Sequence, residues 1–251
     1  MISKSIICWI VFSTIILSND RLRLKKANIL ENKTINNESV KLISGNIIFT
    51  KGSLTLNCQE GRYFEKNDIA ILYRNVSAFQ EGRTLTCDTI KFYSKNDKLS
   101  GIGNAHVWDK DYDLKSDSLT IFTKSDSGIA LGNVTLIQKD QTIFANRIEY
   151  KRNKQKGGIS YTAFGNVIIK DSSRIATCNK AKYDRKNEIT TLEDQPEIHE
   201  ENQILSGNKI ILNYEKDNLK NLYIPQDARA QSKIKGYKNI KKDSIIIKDT
   251  L

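Results

Sequence analysis

The chain has 251 residues, is 39% hydrophobic and carries a formal net charge of +11. Four cysteines in this length do not make a disulfide scaffold, and two prolines with ten tyrosines do not make a disordered chain. The basic balance either favours an anionic partner (nucleic acid, a membrane surface, a phosphorylated lipid) or reflects a Lys-, Asn- and Ile-rich composition.

The first element is MISKSIICWIVFSTIILSND, residues 1–20. An apolar run from Ile6 to Leu17 follows Lys4. It is too short to cross roughly 30 Å of hydrocarbon comfortably and suits the core of a secretory signal peptide or a signal anchor. The expectation is an exported protein, with 1–20 as leader and 21–251 as one domain.

After the leader the chain repeats. Asn46, Asn75, Asn104, Asn133 and Asn166 follow one another at intervals of 29, 29, 29 and 33. Extension by 29 reaches Gln195 and Ile224, giving about seven units. Twelve positions after each marker stands a small residue: Cys58, Cys87, Ser116, Ala145, Cys178, Gly207 and Gly236. Two positions before each of these the residue is apolar: Leu56, Leu85, Leu114, Ile143, Ala176, Leu205 and Ile234. The four extra residues of the longer interval fall near KRNKQKGG, 151–158, a polar loop able to absorb an insertion.

Within a unit the period is two, which predicts strands. Phe49 shares a face with Ile47, Val107 with Ala105, Leu136 with Val134, and Ile169 with Val167. A polar turn follows, and then a second strand through Leu56, Leu85, Leu114 or Ile143. Past the small residue the parity flips, so that Ile90 and Phe92, Leu119 and Ile121, or Ile148 and Tyr150 become the apolar set. The flip falls at Asp88, Asp117, Asn146, Asn179 and Asn208, residues whose side chains can bond their own backbone at a bend. The pairs Gly103-Asn104, Gly132-Asn133 and Gly165-Asn166 mark a second bend, where glycine accepts dihedrals that other residues resist. Each unit therefore gives two long bent strands with one apolar face, and the chain about twelve to fourteen strands with almost no helix. The small slot predicts an inward position. Stacking of successive units would set Cys58 beside Cys87, which allows a disulfide.

Chemistry-bearing motifs are sparse. His106 and His199 have no second ligand nearby in sequence, and no C-x-x-C is present, so no metal is expected. DKDYD, 109–113, falls in a turn, and GIGNAH, 101–106, reads as one more Gly-Asn corner rather than a phosphate loop. No nucleophile elbow or P-loop occurs, so neither an enzyme nor a cofactor is expected. The aromatic residues recur on the apolar face, which favours core packing over base stacking, so nucleic acid is not an expected partner. Trp108 is expected at the rim.

GNAHVWDKDYDLKSDSLTIF (103–122), GNVTLIQKDQTIFANRIEY (132–150) and GNVIIKDSSRIATCNKAKY (165–183) resemble the OstA-like domain of LptA, LptC and the amino-terminal part of LptD. Gly132, Asn133 and Val134 match the family's Gly-Asn-Val corner, and Ile143, Ala145, Asn146 and Tyr150 its Leu-x-Ala-Asp corner and aromatic close. Leu114, Ser116 and Asp117 match one unit earlier, and Cys87-Asp88 looks like a variant of Ala-Asp. The resemblance runs over about residues 24–240, with Arg74-Asn75-Val76 departing from Gly-Asn-Val at a bend arginine does not enter easily.

The resemblance implies an all-β, OstA-like β-jellyroll shaped as an open V. It implies a periplasmic, non-enzymatic bridge component carrying lipopolysaccharide between membranes, paired end to end through edge strands with other transport components or head-to-tail with itself. The inward apolar residues Phe49, Leu56, Leu85, Ile90, Phe92, Val107, Leu114, Val134, Leu136, Ile143, Ile148, Tyr150, Val167 and Ile169 would then line a lipid groove. Two alternatives remain at this stage: an LptC-like component anchored to the inner membrane, and a closed structural β-solenoid without lipid.

Overall fold

The computed structural model describes residues 21–35, 37–155, 157–216 and 218–232. The leader expected at 1–20, Cys8 within it, and the repeat positions Ile234 and Gly236 lie outside them. The polypeptide folds into one antiparallel sheet of eighteen strands, with a single 3-10 turn at Ser94–Asn96 as its only helical element among the described residues.

Ten long strands make the body: β3 (Glu38–Lys51), β4 (Leu54–Phe64), β5 (Ile69–Gln80), β6 (Arg83–Tyr93), β7 (Lys98–Trp108), β8 (Asp113–Phe122), β9 (Ser127–Gln138), β10 (Gln141–Arg152), β11 (Ile159–Lys170) and β12 (Arg174–Asp184). Each pairs with its sequence neighbours and bends near its middle. The remaining strands are the same element cut at the bend. β1 (Arg23–Lys26) and β2 (Ile29–Ile35) open the series. β13 (Ile189–Glu193) with β14 (Glu197–Glu200), β15 (Gln203–Ser206) with β16 (Lys209–Glu215), and β17 (Asn218–Tyr223) with β18 (Arg229–Ser232) close it. Counted as bent elements, the eighteen segments fall within the expected twelve to fourteen. The cuts fall at Asp194-Gln195-Pro196 and Ile224-Pro225, where positive φ or proline ends the ladder, and at Gly207-Asn208.

The bend is a bulge with fixed chemistry. Gly103 and Asn104 of β7 sit at φ +76° and +46°, and Asn104 Nδ2 donates to Asp88 Oδ2 of β6 at 3.1 Å. Gly132 and Asn133 repeat this, with Asn133 Nδ2 donating to Asp117 Oδ2 at 3.0 Å. Gly165 and Asn166 likewise have positive φ and lie beside Asn146. The register skips there: Ile102 pairs Ser118 while Ala105 pairs Ser116, so two residues of one strand oppose one of the next. The one-residue side is where the parity flips. Arg74 does enter the left-handed region, at φ +59°, and its exposed guanidinium pairs with Glu60 at 2.9 Å.

The glycine at this bend has a steric as well as a conformational reason. A Cβ on Gly103 would lie 2.1 Å from Asp88 Oδ2, whereas one on Gly52, also at positive φ, would meet nothing within 4 Å. Gly103→Ala is therefore expected to lose about 1–3 kcal/mol and Gly52→Ala no more than about 1 kcal/mol. Urea unfolding of the two variants measures the difference, and equal losses would show that the carboxylate moves aside freely.

The small slot is inward, as its composition predicts. Cys58, Cys87, Ser116, Ala145 and Cys178 are all buried, while Gly207 is half-buried. The slot also has a polar task invisible in the sequence: Cys87 Sγ lies 3.2 Å from Thr89 O, and Ser116 Oγ donates to Ser118 O at 3.0 Å. The side chain thus satisfies the carbonyl two residues on, which the bulge frees from the ladder. Cys58, Cys87 and Cys178 are free thiols, pushed up to about 11 by burial, and so are poor nucleophiles. The expected proximity of Cys58 and Cys87 is corrected by the topology. β5 lies between their strands, so they stand two strand spacings apart, roughly 9–10 Å, beyond the reach of a disulfide.

Candidate functional site

Each bend divides the sheet into two facing halves. One half holds the strand segments around Ala70, Leu72, Ile90, Phe92 and Ile148; the other holds those around Phe49, Leu85, Val107, Leu136 and Ile143. Their apolar faces meet in a single core cluster that runs from Leu22 to Leu212. All fourteen residues expected to face inward (Phe49, Leu56, Leu85, Ile90, Phe92, Val107, Leu114, Val134, Leu136, Ile143, Ile148, Tyr150, Val167 and Ile169) are buried in it, none more than 7% exposed. Thr135 and Lys91, one residue off this parity, are half-buried on the outer face.

The bends join the two halves along one long side. On the other side the free turns meet, and buried ion pairs hold them. Lys51, the last residue of β3, pairs with Asp97 at 2.6 Å and also donates to the Ser94 carbonyl. Arg83 pairs with Asp126, side chains 5% and 8% exposed. Arg152 reaches Asp109 at 3.0 Å, with Asp109 in the DKDYD turn. Ser94, Asp126 and Arg152 stand 43 residues from Lys51, Arg83 and Asp109, which is one and a half units. Farther on, Gln138 Nε2 donates to the Ile159 carbonyl and its Oε1 accepts from the Ile159 amide. Tyr112 and Tyr150 pack behind the arginines, ring centroids 6.3 Å apart, and burial pushes the Tyr112 phenol up to about 12. The two arms of the V thus touch along their free margins.

Sequence reasoning did not find these pairs. A signal was present: Asp68, Asp97 and Asp126 recur at 29 in successive turns, all at positive φ. Their carbonyls accept from Ser94, Thr123 and Arg152 amides at 2.8–3.0 Å, so the turn is repeated as faithfully as the bend. The insertion near 151–158 lies over the same margin: Lys154 pairs with Glu81, and Gly157 and Gly158 lie against Asp111 and Gln138.

The interior is unpaired only at its ends. β2 and β1 border the two halves at one end, and β17 and β18 at the other, with no further strand beside them among the described residues. Ile29, Leu30 and Ile35 of β2 and Tyr223 of β17 are exposed there. A cavity of about 1120 Å³ occupies the first end, with Leu22, Leu24, Ile43 and Tyr63 on its walls. His106 stacks on half-buried Trp108 and bonds Asp113 at 2.9 Å on the outer face, and no group of side chains among the described residues could hold a metal.

Residues 113–218, from the start of β8 to the start of β17, match the family model described as LptA/(LptD N-terminal domain) LPS transport protein. The chain resembles the OstA-like, LptA/LptC-type family. One similar solved structure is that of LptH, the LptA homologous periplasmic component of the conserved lipopolysaccharide transport device from Pseudomonas aeruginosa. It is 16% identical, with a TM-score of 0.42, over 55% of this chain and 95% of its own. No curated protein matches. The matched span takes in the five long strands β8 to β12, the cut elements β13/β14 and β15/β16, and the ion-paired residues Asp126 and Arg152. It begins after the first end of the interior, where the cavity lies.

Proposed function

We propose that this protein is a periplasmic, non-enzymatic carrier whose interior takes the acyl chains of lipopolysaccharide between the two membranes. The observation that carries the reading is the continuous apolar interior, bordered by unpaired strands at both ends, in a chain that resembles lipopolysaccharide-transport proteins. Burial of acyl chains would be driven by apolar area, at about 25 cal/mol per Å². The ion-paired margin favours passage along the interior from end to end over sideways insertion. The unpaired edges of β1/β2 and β17/β18 offer backbone groups to another OstA-like component or a second copy of this chain.

Photo-cross-linkers placed in cells at Leu136 and Phe92 should capture lipopolysaccharide, and the same probe at Thr135 and Lys91 little. The close packing of the fourteen inward residues favours one other reading, a structural repeat protein with a permanently filled core. Equal capture at inward and outward positions in folded protein would establish that second reading.

A further inference from the structure

The cavity beside β1 and β2 has two kinds of wall. Leu22 and Ile43 belong to the core cluster and Leu24 and Tyr63 pack against it, so its apolar wall continues the interior without a break. Its rim is cationic. Seven lysines and arginines border the cavity against three carboxylates. Three of the seven are occupied: Lys41 pairs with Glu65 at 3.1 Å, and Lys51 and Lys124 share Asp97 at 2.6 and 3.6 Å. The other four, Arg21, Arg23, Lys66 and Lys95, are exposed and have no carboxylate in ion-pair distance among the described residues. At the far end Lys180 and Lys209 share Glu193 at 2.8 and 3.1 Å and Lys220 pairs with Glu215 at 2.8 Å, which leaves Lys216 and Arg229 as exposed cations with no carboxylate in ion-pair distance among the described residues.

We infer that the cavity at the β1/β2 end binds the phosphate-bearing head of an anionic lipid, with Arg21, Arg23, Lys66 and Lys95 facing the phosphates and an acyl chain lying on Leu22 and Ile43. This rests on the lipid-carrier reading and adds to it a head-group site and a polarity. Arginine and lysine beside a phosphate form charge-assisted hydrogen bonds, and these four cations lose no existing ion pair in doing so, Lys95 donating only to the Lys66 carbonyl at 3.1 Å. The lysines that do have partners hold the turns together and stay where they are. A lipid held here has its charged end at the rim and its chains pointed into the core, so the first end is the one that receives the head group.

The test uses the full chain with a photo-cross-linker at Leu24, and a second preparation with it at Leu136. The probes are bis-phosphorylated lipid A, the same lipid A with its phosphates removed, and inorganic phosphate. Bis-phosphorylated lipid A should half-saturate cross-linking at Leu24 at a concentration about tenfold below that of the dephosphorylated lipid. Raising the salt to about 0.5 M should shrink that ratio, because the rim is exposed and screened. The variant Arg21→Gln, Arg23→Gln, Lys66→Gln, Lys95→Gln should bind both lipids alike, near the value of the dephosphorylated lipid. All four side chains are exposed, so unchanged thermal unfolding is expected and checks that the variant is folded.

Equal half-saturation of the two lipids by the parent protein would overturn the head-group site and leave the carrier reading standing. Absence of lipid at both Leu24 and Leu136 would remove the carrier reading itself. Inorganic phosphate competing as well as phosphorylated lipid A would overturn the lipid site in favour of a free-anion site. A cross-link from Leu24 to residues 1–20 of the same chain, in place of lipid, would overturn it in favour of the chain's own leader.

Discussion

Leu136→Asp is expected to lower stability by about 4 kcal/mol or more, and Thr135→Asp by less than about 1 kcal/mol. Leu136 is fully buried, opposite Leu114 on β8 and Ile143 on β10. The substitution removes a leucine from a close-packed wall and puts a carboxylate where no cation or donor is at hand. Either effect alone costs a few kcal/mol, and their sum approaches the whole stability of an ordinary domain. Thr135 points the other way on the same strand, where water reaches it. Urea unfolding of the two variants measures the contrast, and similar midpoints would mean that the inward face is not a packed core. Leu136→Met keeps the volume and should cost less than about 1.5 kcal/mol, which gives a folded variant for transport assays.

Much of this architecture is legible in the chain because its signals are local. The parity of Val134 and Leu136, the flip at Asp117, and the Gly132-Asn133 pair each lie within one strand or two adjacent ones, so spacing alone places them. The small slot is legible for the same reason. What is not legible depends on how the sheet folds over itself. Parity says that Leu85 and Ile90 both face inward but not that Arg83 meets a turn 43 residues away. The acids of DKDYD look like ordinary turn residues, yet the Asp109 side chain is almost wholly buried against Arg152. The pairing of Cys58 with Cys87 was misleading because a repeat of two antiparallel strands sets equivalent residues two strands apart. The cavity is hidden for a related reason. β1 docks on the second half of β3 and β2 on the first, so Arg21, Arg23 and Lys66 converge only once the halves face each other.

The ion-paired margin predicts a second large effect with an unusual pattern. Asp126→Asn is expected to cost about 3–5 kcal/mol, while the double variant Arg83→Met with Asp126→Asn recovers most of that loss. The reason is that Arg83 is 5% exposed and enclosed by Tyr112 and Tyr150, so it cannot reach water when its carboxylate is removed. Asparagine keeps the shape and tolerates the left-handed backbone of Asp126, at φ +53°, so the loss reports the charge rather than the turn. Replacing the arginine with a side chain of similar length and no charge removes the stranded cation and leaves an apolar contact. Arg152 and Lys154, each 3.7 Å from the second Asp126 oxygen, lose a weaker attraction in both variants, which is why recovery is incomplete. Hydrogen exchange adds a spatial readout. In Asp126→Asn the amides of Thr123 and Arg152, which close the turns at this margin, should exchange faster, while that of Ile143, inside the sheet, follows global unfolding. A single variant as stable as the parent to within about 0.5 kcal/mol would mean that packing alone keeps the margins together. If the single variant is weakened as expected, charge as well as packing holds the two halves together at this margin.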